Sequence, residues 1–504
     1  MKLLTCLFAT ILLLCTGSTY PNKIPKSRET NHLYISHYEN VLGTSMELKI
    51  SASSPEDAAA AEAAALQEIT RMAKILSGYD PNSEFSRWLR TSGQPIKVSS
   101  ELFEVLNLFD RWRILSHGAL DASAEVITKL WKQAASTRKL PTQQELTDAV
   151  KEVQQPHWIL NSATQTATHL DQAQLMLNSF AKSYIIKRAS DAAMLSARLN
   201  GIVINIGGDL VVTGQLNETV QISNPKADAE NENPVDQLLI NNKAVATSGN
   251  YRRGELIDGH WYSHIVDPRT GEPADDILSA TVVAPSATDA GALATAFNVM
   301  NPSESIQLAS TIPGAEYLII TKDGERIVSK GWSDLQTPPV KQTENREYGG
   351  LDDFELVINL EINLQKEGFV KRPYVAVWVE DENHAAIRTI SVWHGSDRYM
   401  PELKSWFLKY RGRYNTDRSF TNSITSATRP AGKYTLKWDG KDDEGNLVKP
   451  GKYFIKIEAS REHGTYQLIR QEIDCDQTPK IINLTGNIEI ATASLDYRKK
   501  TNNN

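Results

Sequence analysis

A chain of 504 residues is longer than one hydrophobic core ordinarily organises, which predicts two or three domains. Its 40% hydrophobic and 23% charged residues are those of a globular protein and exclude a disordered or fibrous one. The net charge of −7, with no basic run interleaved with aromatics, leaves no surplus to neutralise phosphates and excludes a nucleic-acid binder.

The first stretch, "MKLLTCLFATILLLCTGSTY", has Lys2, an apolar core from Leu3 to Leu14, then small polar residues. Residues 1–18 therefore read as an export signal, too short to span a membrane permanently. A lipid-anchored start at Cys15 is the alternative to plain secretion, although Leu14 is bulkier than the usual small residue before such a cysteine. The expected location is periplasmic, free or held as a lipoprotein, with no other membrane span. Cys6 and Cys15 fall in the signal, so Cys475 alone remains and no intramolecular disulfide is expected.

From 32 to 333 helices and strands alternate, an α+β pattern. "YENVLGTSMELKIS" alternates as a strand. "SSPEDAAAAEAAALQEITRMAKILSG" is a helix: Ser54 caps it, Pro55 starts it, Glu56 and Asp57 suit its positive end, and Gly78 stops it. A second helix runs from the Ser100 cap to Gly118, and a third from about Ser179 to Leu199, before the strand "GIVINIGGDLVVTG". "NPKADAENENPVDQ" reads as a polar loop, "QLLINNKAVATSG" as paired strands, and "LSATVVAP" as another strand. "TDAGALATAF" opens a helix with Thr288 as its cap, and Gly291 in its second turn costs about 1 kcal/mol relative to alanine.

Residues 334–350 are rich in proline, charge and amides and read as a linker. Beyond it, 351–477 shows strands and turns with almost no helical pattern. Phe354, Leu356, Ile358, Leu360 and Ile362 alternate cleanly, which predicts an antiparallel, immunoglobulin-like β-sandwich. Residues 478–504 are polar and read as a loose tail.

Four stretches carry candidate chemistry. "NIGGD", Asn205 to Asp209, is either a backbone cradle for a phosphate or a tight strand-to-strand turn. "SHIVDPRTGEP" offers His264 as a general base, or as a structural histidine before an ordinary Asp267–Pro268 turn. Asp121 in "GALDAS" is a ligand contact or an N-cap, and "NSFAKSY" gathers Ser179 and Lys182 at a helix start. The acidic group Asp439, Asp442, Asp443 and Glu444 lacks the spacing of a helix-flanked calcium loop and reads as a solvated hairpin turn.

In order along the chain, "VLGTSMEL", "SGYDPNSEFSRW", "GALDASAEVITKLW", "AKSYIIKRA", "GIVINIGGDL", "AVATSGNYRR", "SHIVDPRTGEP" and "ATDAGALATAF" resemble the ApbE family of flavin transferases. The β-rich part is similar to an uncharacterised periplasmic domain often fused behind such enzymes. The resemblance implies an FAD:protein FMN transferase, which moves FMN from FAD to a threonine or serine of a separate acceptor protein and releases AMP. It implies His264 in catalysis, and FAD contacts at Leu42, Ala119, Leu120, Asp121, Lys182, Gly207, Gly208, Thr247 and Ser248.

It also implies Mg²⁺ held by the Ser179 carbonyl, Thr295 and an acidic residue one turn before it. That last position is Gly291, with Asp289 two residues away as a substitute ligand. Two further departures are Met176, where relatives carry an acidic residue, and "NSFAKS", where they carry a "GGIAKG"-like stretch. Three readings follow: an active transferase with an altered metal site, a catalytically silent FAD-binding relative, or an adaptor defined by its β-sandwich.

Overall fold

The computed structural model describes residues 31–250, 253–337, 353–363, 372–395, 397–417, 420–421, 424–461, 464–476 and 478–500. The expected export segment with Cys15, residues 338–350 of the expected linker, and Tyr251 and Arg252 of "ATSGNYRR" lie outside the described residues.

The first half is organised by one antiparallel sheet whose eight strands are neighbours in chain order. They are β1 (His32–Val41), β2 (Thr44–Ala52), β3 (Leu199–Ile206), β4 (Asp209–Gly214), β5 (Ala244–Gly249), β6 (Ile277–Ala284), β7 (Glu316–Thr321) and β8 (Arg326–Val328). The apolar runs in β3 and β6 reflect burial on both faces. Ile202, Ile204, Ala280 and Val282 face one core, and Val203 and Val283 the other.

Helices α1 (Pro55–Leu76), α2 (Ser100–Leu115), α3 (Glu125–Thr137), α4 (Ala181–Ser196) and α5 (Ala287–Val299) belong to this half. The α1 helix packs along α4, and α5 packs between α4 and strands β5 and β6. The second face is covered by the hairpin Glu218–Ile222 and Asp236–Ile240 with Trp332. The caps expected of α1 are in place, with the Ser54 side chain accepting from the Asp57 N–H at 3.1 Å. At α5 the cap is Ser286, not Thr288: its hydroxyl accepts from the Asp289 N–H at 3.2 Å. Thr288 lies inside the helix and is buried.

The second half is a two-sheet sandwich. Its elements are β9 (Phe354–Ile362), β10 (Tyr374–Asp381), β11 (Ala386–His394), α6 (Lys404–Thr416), β12 (Thr425–Ala427), β13 (Gly432–Trp438), β14 (Gly451–Ser460), β15 (Tyr466–Cys475), β16 (Lys480–Leu484) and β17 (Ile490–Lys499). One sheet has the order β13-β9-β17-β16 and the other β12-β11-β10-β14-β15. Phe354, Leu356, Ile358, Leu360 and Ile362 all enter the core between them, as their alternation requires.

The β-sandwich expected of this region is the fold observed, with one helix added: α6 lays Trp406 and Tyr410 on the outer face of β10 and β11. Two boundaries differ from expectation. Residues 478–500 are not a tail: β17 pairs along the whole of β9 and buries Leu495 and Tyr497 in the core. The expected linker also starts late, since Trp332–Leu335 forms a short helical turn and the Thr337 N–H donates to Gln237. The acidic cluster lies in the connection from β13 to β14, strands of different sheets, and is not the solvated hairpin expected. A turn closed by the isolated Lys441–Leu447 bridge has Asp442 Oδ1 accepting from the Glu444 and Asn446 N–H groups, while the Asp443 side chain is buried and accepts from the Thr389 N–H at 2.9 Å. Cys475 is buried and unpaired with any other cysteine.

Candidate functional site

The first group of candidates converges on Asp209, the first residue of β4. Its carboxylate accepts from the Ser183 hydroxyl at 3.0 Å and faces Lys182 Nζ at 3.3 Å, both from the first turn of α4. The Thr247 N–H of β5 also reaches it. Burial pushes the Asp209 carboxyl above the ordinary carboxylate range, and the Lys182 charge and the hydrogen bonds oppose that rise. Lys182, Gly208 and Thr247 are thus brought together through a residue that "NIGGD" displayed but that the sequence reading left out of the site. Thr247 Oγ1 bonds Thr281 Oγ1 at 2.9 Å, and the Ser248 carbonyl accepts from Asn298 Nδ2 at 2.9 Å, fixing β5 against β6 and α5.

The paired glycines make a turn and not a phosphate cradle. Ile206 pairs with Asp209, and Gly207 and Gly208 take φ of 58° and 95°, as a two-residue hairpin turn demands. The Gly207 N–H donates to the Ser45 carbonyl at 3.0 Å and the Gly208 N–H to Asn205 Oδ1 at 3.1 Å. Both amides are therefore spent within the fold. A second two-residue turn lies beside it, with Leu42 at φ 50° and Gly43 at 81°. A Cβ on Gly207 would lie 2.7 Å from Thr44 Cγ2, so the two turns touch and Leu42 joins this group. For a leucine this φ is an uncommon, strained conformation.

The expected metal ligands meet only in part. The Thr295 hydroxyl of α5 donates to the Ser179 carbonyl at 2.9 Å, across the α4–α5 contact. Gly291 lies against α4: a Cβ there would overlap the Ser183 hydroxyl and stand 3.0 Å from Ser183 Cβ and 3.5 Å from Phe180 Cβ. A carboxylate at 291 would require Ser183 to move. Asp289 is no substitute, because six residues from Thr295 it lies about 240° round the helix and about 9 Å along it. Among the described residues no three His, Cys, Asp or Glu side chains are placed to hold a metal. A Mg²⁺ ion seeks oxygen ligands that include carboxylates, and these residues do not fit it. Met176 has become a packing residue, its sulfur 2.8 Å from where a Gly78 Cβ would stand.

Ala119, Leu120 and Asp121 form the turn between α2 and α3. The Ala119 and Leu120 side chains are buried, and their N–H groups donate to Ser116 at 3.0 and 2.9 Å. Asp121 caps the next turn, accepting from the Ser123 N–H at 2.8 Å, and pairs with Arg113 at 2.8 Å. Its carboxylate is a buried structural anchor.

His264 follows the strand His260–Ser263 and is exposed. Its Nδ1 lies 3.0 Å from the Arg253 carbonyl, which accepts only, so Nδ1 carries the proton and Nε2 keeps its lone pair. Loss of solvent around the ring lowers its pKa below that of a free histidine, and the nearby Arg253 and Lys132 charges add to this. In the next loop Arg269 grips Asp267 through Nε and Nη2 and reaches Glu304 at 3.0 Å. Asp267 is a turn-former, as its neighbours indicated.

A cavity of about 630 Å³ opens on the turn side of the sheet, lined by Thr44, Glu47, Gly207, Gly208, Thr247 and Ser279 among others. Its size is that of an ordinary ligand site.

Comparisons with known proteins agree with this architecture. The family model described as "ApbE family" matches residues 42–319, and that described as "Predicted periplasmic protein (DUF2271)" matches 355–492. The chain is 29% identical to an FAD:protein FMN transferase of Haemophilus influenzae over 54% of its length and 80% of the relative's. It is 28% identical to one of Treponema pallidum over 59% and 88%. An ApbE protein of Thermotoga maritima superposes with a TM-score of 0.54 at 25% identity, covering 61% of this chain and all of that one. The flavin transferase ApbE of Vibrio cholerae gives 0.51 at 23%, covering 60% and 99%. With more than half of its length matched by the family model, the chain belongs to the ApbE family.

Proposed function

We propose that this chain is an FAD:protein FMN transferase acting on an exported acceptor protein. The observation that carries the reading is His264, whose Nδ1 is committed to the Arg253 carbonyl while Nε2 is left as a base. An acceptor threonine or serine hydroxyl attacks the FMN phosphorus in line. Its oxygen forms the new P–O bond, its proton passes to His264 Nε2, and the bond to the AMP phosphate breaks. Lys182 supplies the cation that faces the pyrophosphate, and Asp209 fixes its direction. The two-residue turns at Leu42–Gly43 and Gly207–Gly208, with Thr247 and Ser248 beside them, border the FAD site. No step is assigned to Mg²⁺.

The periplasmic description of the second domain's family supports export through residues 1–18, either free or anchored at Cys15. No helix of the described residues is long and apolar enough to cross a membrane. We take the two domains as residues 32–337 and 353–500, each with its own core.

The second reading, a silent FAD-holding relative, is favoured by one observation: Ser183 fills the place a metal ligand at 291 would need. Incubating the full chain with FAD and a protein bearing an acceptor threonine, with Mg²⁺ or with a chelator, separates the two. Covalent flavin on the acceptor with AMP released supports the transferase. FAD bound without AMP supports the silent relative.

A further inference from the structure

We infer that Trp131 of α3 is a positioning residue for His264, holding the chain on both sides of the ring at once. This deepens the reading of His264 as the base and rests on it.

The segment around His264 packs apart from the main core of the first domain. Ile257, Tyr262 and Val266 join a separate apolar cluster with Ile127 and Trp131 of α3 and Leu146 of the helix Gln143–Val153. A cluster this small is organised by its largest member, the Trp131 indole, which is 5% exposed.

The indole makes two contacts that bracket His264 in the chain. Two residues before the histidine, the Tyr262 ring lies 4.9 Å from the Trp131 ring, centroid to centroid, at 30°. Tyr262 belongs to the hairpin of strands Gly254–Ile257 and His260–Ser263, which Arg253 and His264 flank. There the Arg253 carbonyl accepts from the His264 N–H at 3.3 Å and from Nδ1–H at 3.0 Å. Seven residues after the histidine, the Gly271 carbonyl accepts from Trp131 Nε1–H at 2.8 Å. Gly271 belongs to the turn that returns to His264: its N–H donates to the Asp267 carbonyl at 2.8 Å, and the Ala274 N–H to the Ile265 carbonyl at 2.9 Å.

The seating of α3 also sets the charge around the ring. Loss of solvent, then the Arg253 and Lys132 charges, hold the His264 pKa below 6.5, and Lys132 is Trp131's neighbour on α3. A ring that loosens from α3 regains water and moves away from Lys132, so its pKa rises. Proton transfer needs the acceptor hydroxyl within hydrogen-bond reach of Nε2, and a misplacement of about 1 Å costs about 100-fold.

The test compares Trp131→Phe with a matched control, Trp438→Phe, in the full chain. Trp438 of the sandwich is likewise buried, and its Nε1–H likewise donates to a backbone carbonyl, that of Lys441, at 2.8 Å. The measurements are the His264 titration by NMR, AMP release with FAD and an acceptor protein bearing a reactive threonine, and the FAD Kd by flavin fluorescence. Trp131→Phe should move the His264 titration up toward 6.5 and the acid limb of the rate with it. It should lower kcat at least tenfold, with the FAD Kd within twofold of wild type. Tyr262→Leu keeps the Gly271 bond and should give the same signature with at least a threefold loss of kcat; it decides the matter if Trp131→Phe does not fold. Trp438→Phe should lose comparable Tm and change none of these. Unshifted His264 titrations in both site variants overturn the inference, as does a loss of kcat that Trp438→Phe reproduces. A wild type that releases no AMP fails the transferase reading instead, and the His264 titration then still decides whether Trp131 positions the ring.

Discussion

Ser183 and Gly291 exclude each other's side chains: the serine hydroxyl on α4 occupies the space a Cβ at 291 would take, and it is tied there to Asp209. Gly291→Asp alone overpacks this contact and should cost about 3 kcal/mol. Ser183→Gly with Gly291→Asp should recover most of that loss, because the two sites couple directly. The double variant should also gain a Mg²⁺-dependent rise in Tm that the wild type lacks. Chemical denaturation and thermal shifts with and without Mg²⁺ check both statements. A wild-type chain that Mg²⁺ stabilises strongly would contradict the metal misfit.

His264 has a pKa below that of free histidine, about 6.5. A general base acts when deprotonated, so the rate should rise with pH along a limb centred below 6.5 and stay flat above it. His264→Gly should lower transfer by about 100-fold or more while FAD binding holds. A pH–rate profile of both proteins measures this, and an acid limb centred well above 6.5 argues against His264.

Asp209 gathers Lys182, Ser183 and the Thr247 N–H, so Asp209→Ala strands three donors. The expected cost is about 3 kcal/mol, read from a urea midpoint, and FAD affinity should fall with it. Lys182→Ala, whose side chain is about a third exposed, should cost less stability but as much affinity. An unchanged midpoint for Asp209→Ala would show that the hub is not structural.

Cys475 is buried and its thiol is pushed up to about 12 by loss of solvent, so little reactive thiolate exists near neutral pH. Peptide mass spectrometry should find Cys475 unalkylated by iodoacetamide at pH 8 in the native protein and fully alkylated in urea. Rapid native labelling would place it outside the sandwich core.

How far the sequence was legible follows the range of the interactions involved. The α1 helix was legible because its caps and its apolar stripe lie within 26 residues of chain, and β9 because strict alternation needs no partner to be seen. The α6 helix was missed because Leu403 gives it no side-chain cap and its anchors Trp406 and Tyr410 are aromatics at home in strands. The β16 and β17 strands were missed because they alternate against polar residues on the solvent face, which in isolation look like a tail.

The site followed the same rule. His264, Thr295 and Lys182 were assigned to the site only through the resemblance of their short motifs to the ApbE family, whereas the Ser183–Asp209 bond and the Ser183–Gly291 contact join residues far apart in the chain. The loop between Ile222 and Asp236 was visible only as polarity, and the Lys437 backbone that its Asn231 side chain bonds lies some 200 residues away.

The most direct measurement is the stoichiometry of AMP released to flavin attached on an acceptor with one reactive threonine, followed by chromatography and intact mass. Wild type should give one AMP for each acid-stable flavin gained, with or without chelator, and His264→Gly should give neither. Bound FAD with no AMP and no mass gain would contradict the transferase reading and leave the chain a flavin-binding relative.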